Sequence, residues 1–450
     1  MADLTDLARK TVDLVMRLGL SDCDVIVSDS RFVSAEIEKG SMKQSSAIAD
    51  PGVGVRVFAK GCSGYSYCTG FDPVVVNKTA RAAVAQARAG TEDPDFKGLP
   101  EREKIRRVDG LYDPRVARLG PDEVVEAAIT LAEIAGNDKS ITSVNASVEV
   151  GIGHVVLANS NGIVASQRMT GFEIGAEAVS KSGDEMFSGI DGGWSRKFEP
   201  RMSEAVGKNA REHAIKGLKS TKVETGDYPV ILDPLAAGFV LGAAIGGGVN
   251  AESVQRKRSY LTDKLGSTIG SERFTVTDDP GIKWASGSYS FDGEGVPGRR
   301  KKIVDKGVLK QFIHDSYTAG KEGRKSTGNS SRGGSVWTFR KLPSISVSNL
   351  VISPGDSSVD EMLAETKDGV YLRITYDHPN LVTGEFSGLM MESYKISKGE
   401  LGPSIRQATL GTPLVDMFKN IDLVGKYSRF VFGVKTPAIR ISKARIGGST

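Results

Sequence analysis

Residues 234–256, PLAAGFVLGAAIGGGVNAESVQR, constrain the fold more than any other stretch of this chain. No charged residue occurs from Leu235 to Val249, so the segment has to be buried. It follows a strand-like run at 228–232 and opens on Asp233-Pro234. That pair signals a helix start, because the first turn has no use for the N–H that proline lacks. Yet Gly242, Gly246, Gly247 and Gly248 fall inside the predicted helix. Each glycine costs roughly 1 kcal/mol relative to alanine in a helix interior. A core helix carries that cost where a neighbour must approach its backbone, or where the helix ends. Tight packing followed by a glycine C-terminus accounts for the segment as it stands.

The rest of the chain divides around it. At 450 residues it is too long for one core, and two or three domains are expected. Leu4, Leu7, Ala8, Thr11, Leu14, Val15 and Leu18 recur at helical spacing, with Asp3 or Thr5 as cap and Gly19 as stop. Short strands are predicted at 24–29, 35–39, 52–58 and 65–68, then a helix at 73–88. A polar, proline-punctuated connection at 90–119 leads to a second unit. This has a helix at 121–135, strands at 144–150, 154–159, 163–169 and 172–180, and a helix at 202–218. Asn159-Ser160-Asn161-Gly162 marks a hairpin. The predicted fold class is α+β. Residues 1–222 form a mixed α/β half with small sheets and flanking helices (sub-units about 1–105 and 106–222). Residues 223–450 form a β-rich, barrel-like domain with the glycine segment buried in or under it. Apolar runs at 375–378, 389–396 and 429–441 and a short helix at 357–365 belong to that domain.

Composition excludes several functions. A net charge of +4 makes no general case for nucleic acid or membrane binding. MADLTDLARK is acidic and polar, unlike a signal peptide, and 235–249 is too short to cross about 30 Å of hydrocarbon. Cys23, Cys62 and Cys68 are too few and badly spaced for a disulfide framework or a zinc clip, and point to a reducing cytoplasm. The four histidines, His154, His213, His314 and His378, are scattered, with no HExxH or HxH among them. A zinc site needs three or four ligands in a tetrahedron. His213 is expected on an exposed polar helix face. No GxSxG elbow is present, and Gly246–Gly248 is not followed by the Lys-Ser/Thr of a P-loop.

The densest functional-looking region is 291–334. Asp292 and Glu294 precede the basic run Arg299, Arg300, Lys301 and Lys302. A turn at Asp305-Lys306-Gly307 leads to a loop with Tyr317, Arg324, Lys325, Ser326, Thr327 and Asn329. Such a loop on a β scaffold offers donors to a peptide backbone or carboxylate. The alternative is a solvated hairpin with a mobile basic loop. No aromatic stacking set accompanies the charges, which argues against nucleic acid.

The stretches DGEGVPGRRKKIVDKGVLKQFIHDSYTAGKEGRKSTGN, NLVISPGDSSVDEML, LVTGEFSG and PSIRQATLGTPLVDMFKNI, with GVGVRVF and ANSNG earlier, resemble the TldD/PmbA family. These are cytoplasmic peptidase-related proteins, also called modulators of DNA gyrase. The resemblance implies a heterodimer of two branches around an internal cavity. The TldD branch carries a metal-binding HExxxH helix and a later cysteine ligand, and the PmbA/TldE branch lacks them. Laid on this sequence, the motif places its first His at Gly242, its Glu at Ala243 and its second His at Gly247, and no cysteine follows Cys68. The chain is therefore similar to the PmbA/TldE branch. By that resemblance it binds no metal or cofactor itself, and zinc belongs to a TldD-like partner. Alone it could form a homodimer. Its substrate would be an extended peptide held by strand addition. Peptide-binding candidates are Asp292, Glu294, Arg299, Arg300, Tyr317, Lys325, Ser326, Thr327 and Asn329. Two rivals stand beside this reading: a self-sufficient metal site built from residues such as His314, His378 and Asp292, and a regulator acting on gyrase or DNA. The near-neutral charge counts against the latter.

Overall fold

Strict alternation of side chains about extended strands builds the N-terminal half. The computed structural model describes residues 3–334 and 336–448. Strands β1 (Asp22–Glu38), β2 (Ser41–Ala49), β3 (Gly52–Ala59), β4 (Cys62–Thr69), β5 (Ile141–Asn159), β6 (Val164–Ser182) and β7 (Glu185–Ser195) form one antiparallel sheet. Its order is β4-β3-β1-β5-β6-β7, and β2 joins the second half of β1. β1 and β5 pair without a break from Asp24↔Asn159 to Ile37↔Ala146. The two small sheets expected of sub-units 1–105 and 106–222 are thus a single sheet. The short strands predicted in pairs within residues 24–39, 144–159 and 163–180 are three long ones. The apparent breaks have a cause: Ser28 and Gly153 lie under the second half of the chain. Ser28 donates to Trp337 O, and a Cβ on Gly153 would stand 2.9 Å from Val336.

One face of this sheet carries four helices: α1 (Leu4–Arg17), α2 (Pro73–Ala89), α3 (Pro121–Gly136) and α4 (Pro200–Lys216). Asp3 and Asp72 cap α1 and α2, each accepting two backbone N–H bonds. Odd residues of β1 and even residues of β5 supply the core. Val25, Val27, Val156 and Ala158 pack under α1 and α2. Val33, Ala35, Ile37, Val144 and Val148 pack under α3 and α4. Helix and strand come closest at the sheet edges, where any side chain would collide. A Cβ on Gly64 would meet Ala83 O at 2.1 Å, and one on Gly189 would meet Ala210 O at 2.2 Å.

The opposite parity forms the other face, which changes character along its length. At one end Ile26, Val155, Leu157 and Met169 pack against Phe291, Trp337 and Phe339 of the C-terminal half. At the other end the same parity brings up Glu36, Asn145, Ser147, Glu173 and Glu177, left open to a cleft.

The C-terminal half is a 13-stranded mixed sheet. At its centre strand Gly226–Leu232 pairs parallel with Asp368–Ile374 and antiparallel with Val434–Gly447. Ser220–Thr221 already pairs with Glu400–Ile405, so this sheet begins just before the expected boundary at 222/223. The helical run 234–248 lies in its core: an α-turn Pro234–Ala237, a π-turn Gly238–Gly242 and an α-turn Ala243–Gly248. Asp233 caps it by accepting from Leu235 N at 2.9 Å. The glycines explain themselves by packing. A Cβ would stand 2.6 Å from Val434 Cγ2 at Gly242, 2.3 Å from Leu381 Cδ1 at Gly247 and 2.7 Å from Tyr260 Cε1 at Gly248. Two predicted runs differ from the structure. Residues 429–441 are a hairpin of Ile421–Val431 and Val434–Gly447, turning at Phe432 with a positive φ of 51°. Residues 375–378 lie beyond the strand ending at Ile374, with His378 exposed ahead of Pro379.

Candidate functional site

The 291–334 region turns most of its polar groups inward. Asp292 and Glu294 are buried, at 0% and 2% exposure. Glu294 accepts from Arg56 Nη2 at 2.9 Å and from Ser316 N and Oγ at 2.8 and 2.7 Å. Arg56 Nε bonds Asp24 Oδ2 at 2.6 Å, and Arg332 Nη2 bonds Asp24 Oδ1 at 2.6 Å. Two acids and two arginines, drawn equally from the N-terminal sheet and the C-terminal domain, close a buried lock between them. Asp292 accepts three backbone N–H bonds, from Glu294, Val296 and Ser330. Burial, then the neighbouring Glu294 charge, nevertheless push its pKa up to about 7. The same two causes raise Asp315 to about 6.

The other candidates from this region divide. Tyr317 donates to Asp93 at 2.9 Å. Ser326 and Thr327 donate to His314 O. Asn329, fully buried, donates to Asp278 and Ser346 O and accepts from Lys301. Only Arg299, Arg300 and Lys325 are exposed, with Arg299 paired to Glu103 and Arg300 to Asp279. The expected display of donors to a peptide is therefore mostly an internal scaffold. A clue was present in the sequence: Asp292 and Glu294 alternate with glycines between Phe291 and Val296, an apolar setting that requires partners.

The central helix keeps one face less covered, where Phe239, Ala243, Gly246, Gly247 and Asn250 are half-buried. Ala243 and Gly247 lie on that face, and Gly242 is packed against Val434. Gly242, Ala243 and Gly247 carry no ligand atom, so the side chains at the motif positions do not fit a metal ion. Among the described residues no three His, Cys, Asp or Glu groups come together as a metal would require. His314 is fully buried, 3.9 Å from Glu322, and His378 is exposed. The rival centre of His314, His378 and Asp292 is not assembled. His213, expected to be exposed, instead lies 2.7 Å from the buried Glu392.

The cleft that the helix face borders went unforeseen. It encloses about 450 Å³ between the polar end of the N-terminal sheet and the C-terminal domain. Leu235 and Phe239, from the start of the central helix, line it. Phe239 meets Tyr376 edge-on at 5.7 Å and Phe432 at 5.2 Å, and Phe432 lies 3.9 Å from Trp194. Glu36, Glu38, Glu173 and Glu177 also line the cleft. Glu173 helps burial raise the pKa of neighbouring Glu149, and Glu177 does the same for Tyr376. Beneath lies a second buried network. Arg373 bonds Glu392 at 2.7 Å and Ile190 O at 2.7 Å, and Arg429 bonds Asp191 at 2.8 Å. It ties the strands under the cleft to the C-terminal sheet. The sequence signal was the spacing of Glu36 with Glu38 and of Glu173 with Glu177, two strand-face pairs that only register could bring together.

Comparison with known proteins agrees with this architecture. Family models match as PmbA/TldA metallopeptidase domain 1 over residues 23–90, central domain over 114–218 and C-terminal domain over 225–448. A metalloprotease of Methanocaldococcus jannaschii is 27% identical over 417 residues, spanning 90% of this chain and 89% of its own. Metalloprotease PmbA of Escherichia coli O157:H7 is 26% identical over 448 residues, spanning 97% and 94%. The crystal structure of TldE from Thermococcus kodakarensis shares the fold, with a TM-score of 0.88 at 21% identity over 99% of this chain and 100% of that one. With all three domains matched in order, the chain belongs to the PmbA/TldD family of metallopeptidases.

Proposed function

We propose that this chain is the PmbA/TldE-type, non-catalytic subunit of a two-subunit metallopeptidase that processes small or unfolded peptides in the cytoplasm. The observation that supports it is the central helix. It is complete, with its cap, its π-turn and its packing, while half-buried Ala243 and Gly247 stand where the family's motif has an acid and a ligand. Zinc and the general base would come from a TldD-like paralogue, and this chain would complete the cavity and hold peptide. Among the described residues no helix is long and apolar enough to cross a membrane.

The test is to purify the chain alone and with a TldD-like partner, then measure bound metal and peptide cleavage. Metal below 0.1 equivalent and no cleavage alone, with both appearing in the complex, is the expected pattern (~0.1 marks trace occupancy). Stoichiometric zinc with cleavage by the isolated chain would sink it.

A further inference from the structure

The floor of the cleft beside the central helix is bare at Gly175, while the Trp194 ring covers Gly192 next to it. Gly175 on β6 and Gly192 on β7 are register partners, and a Cβ on Gly175 would find nothing nearer than Ser147 Oγ at 3.5 Å. A ligand can therefore lie close to the sheet backbone there. Glu173 and Glu177 flank Gly175 along β6, and Glu36 lies two strands away in the same row, through Ser147. Their charges are poorly compensated. Lys43 reaches Glu36 and Glu38 only at 3.7 and 3.5 Å, and Glu177 has Asn145 at 3.0 Å. Asp191 is already matched by Arg373 and Arg429. Four glutamates thus face one lysine.

The remaining walls are aromatic and aliphatic: Trp194, Phe239, Tyr376 and Phe432 with Leu235 and Ile374. Aromatic faces carry negative quadrupole potential, so rings and carboxylates attract the same kind of group. An alkyl stem ending in an organic cation satisfies both the greasy wall and the charged rim. An acidic or neutral ligand would use only part of this lining.

We propose that the cleft is a specificity pocket for the cationic group of an extended peptide: the ammonium or guanidinium of a basic side chain, or the N-terminal ammonium. This rests on the peptide-processing role proposed above and adds to it a preference for positive charge.

The test is calorimetric titration of the full chain with blocked pentapeptides: acetyl-Ala-Ala-Lys-Ala-Ala-amide, its glutamate and its all-alanine counterparts, and unblocked pentaalanine amide. The lysine peptide should bind about tenfold or more tighter than the glutamate peptide, a gap of ~1.4 kcal/mol. The preference should shrink as salt rises. Glu173→Gln with Glu177→Gln should remove most of it while the unfolding temperature stays near that of the parent chain. Phe239→Leu, which keeps the charges, should weaken the lysine peptide. Unblocked pentaalanine matching the lysine peptide would assign the cation to the peptide N-terminus. Equal binding of lysine and glutamate peptides, or no binding of any of them at millimolar concentration, overturns the proposal. Cleavage of neutral and basic peptides at equal rates by the complex would defeat this inference alone. Zinc-dependent cleavage by the isolated chain would defeat the subunit role and leave the charge preference standing.

Discussion

Replacing Arg332 by Met should loosen the joint between the two halves of the molecule. Arg332 is fully buried. It bonds Asp24 at 2.6 Å and, through Nε, Gly293 O at 2.8 Å. Asp24, Arg56, Glu294 and Arg332 form a neutral set, so Arg332→Met leaves it one negative charge in excess, with Asp24 and Glu294 sharing Arg56. Breaking a buried pair in this way costs about 3–5 kcal/mol. At about 2–4 °C per kcal/mol for a domain of roughly 150–250 residues, unfolding should begin roughly 6–20 °C earlier. Adding Asp24→Asn removes the excess charge while leaving Arg56 paired with Glu294. The double variant should therefore be the more stable of the two, with a coupling of about 2 kcal/mol. Differential scanning calorimetry of the four proteins closes the cycle. If Arg332→Met shifts the first transition by less than about 3 °C, half the lower bound above, or the double variant is no better than the single, the lock does not carry the joint.

Titration and packing supply two more checks. Asp315 has a folded pKa of about 6 against an ordinary 3.8. Its contribution is fully present below pH 3.8 and is lost as pH rises to about 6, a ceiling of about 3 kcal/mol at 1.36 kcal/mol per pH unit. Asp315→Asn keeps an acceptor for Thr318 N, bonded at 2.8 Å. The variant should gain on the parent chain between pH 4 and pH 7 in urea-unfolding midpoints, and a constant difference would contradict the assignment. Gly242→Ala should destabilise by about 1–3 kcal/mol despite the better helix propensity of alanine, because its Cβ would stand 2.6 Å from Val434. Gly246→Ala finds Val347 at 3.3 Å and should be clearly milder in thermal unfolding. Equal losses would mean that packing is not what the glycines serve.

Local order was legible wherever a segment declares its own boundaries. Asp3 and Gly19 frame the first helix, Asp72-Pro73 opens the second and Asn161-Gly162 turns a hairpin, all from neighbouring residues. What escaped was long-range. Pairing of β1 with β5 unites residues more than a hundred positions apart, and nothing near Ser28 or Gly153 announces the Trp337 and Val336 that cover them. The same limit applied to the site. The uncharged run after Asp233-Pro234 located the central helix. Reading 291–334 as a display surface missed how much of it is internal, because Arg56, Asp278 and Ser346, which bond Glu294 and Asn329, come from outside that stretch. The carboxylates of the cleft sit on three strands, counting Asp191, and become neighbours only once register is set.

The unbroken β1–β5 pairing also bears on how the protein is made. β1 is complete once Glu38 has been added, but its neighbour on one side is not finished until Asn159. At about 5–20 residues per second, the ribosome needs roughly ten seconds to deliver it. For that interval β1 holds one open edge beside β3, with Ile26 and Val33 still waiting for their cover. The first family domain, residues 23–90, thus leaves one edge of β1 to be paired by β5, outside it. A chaperone or a slow codon run acting between residues 90 and 141 would change the yield of this protein more than the same intervention placed after residue 230.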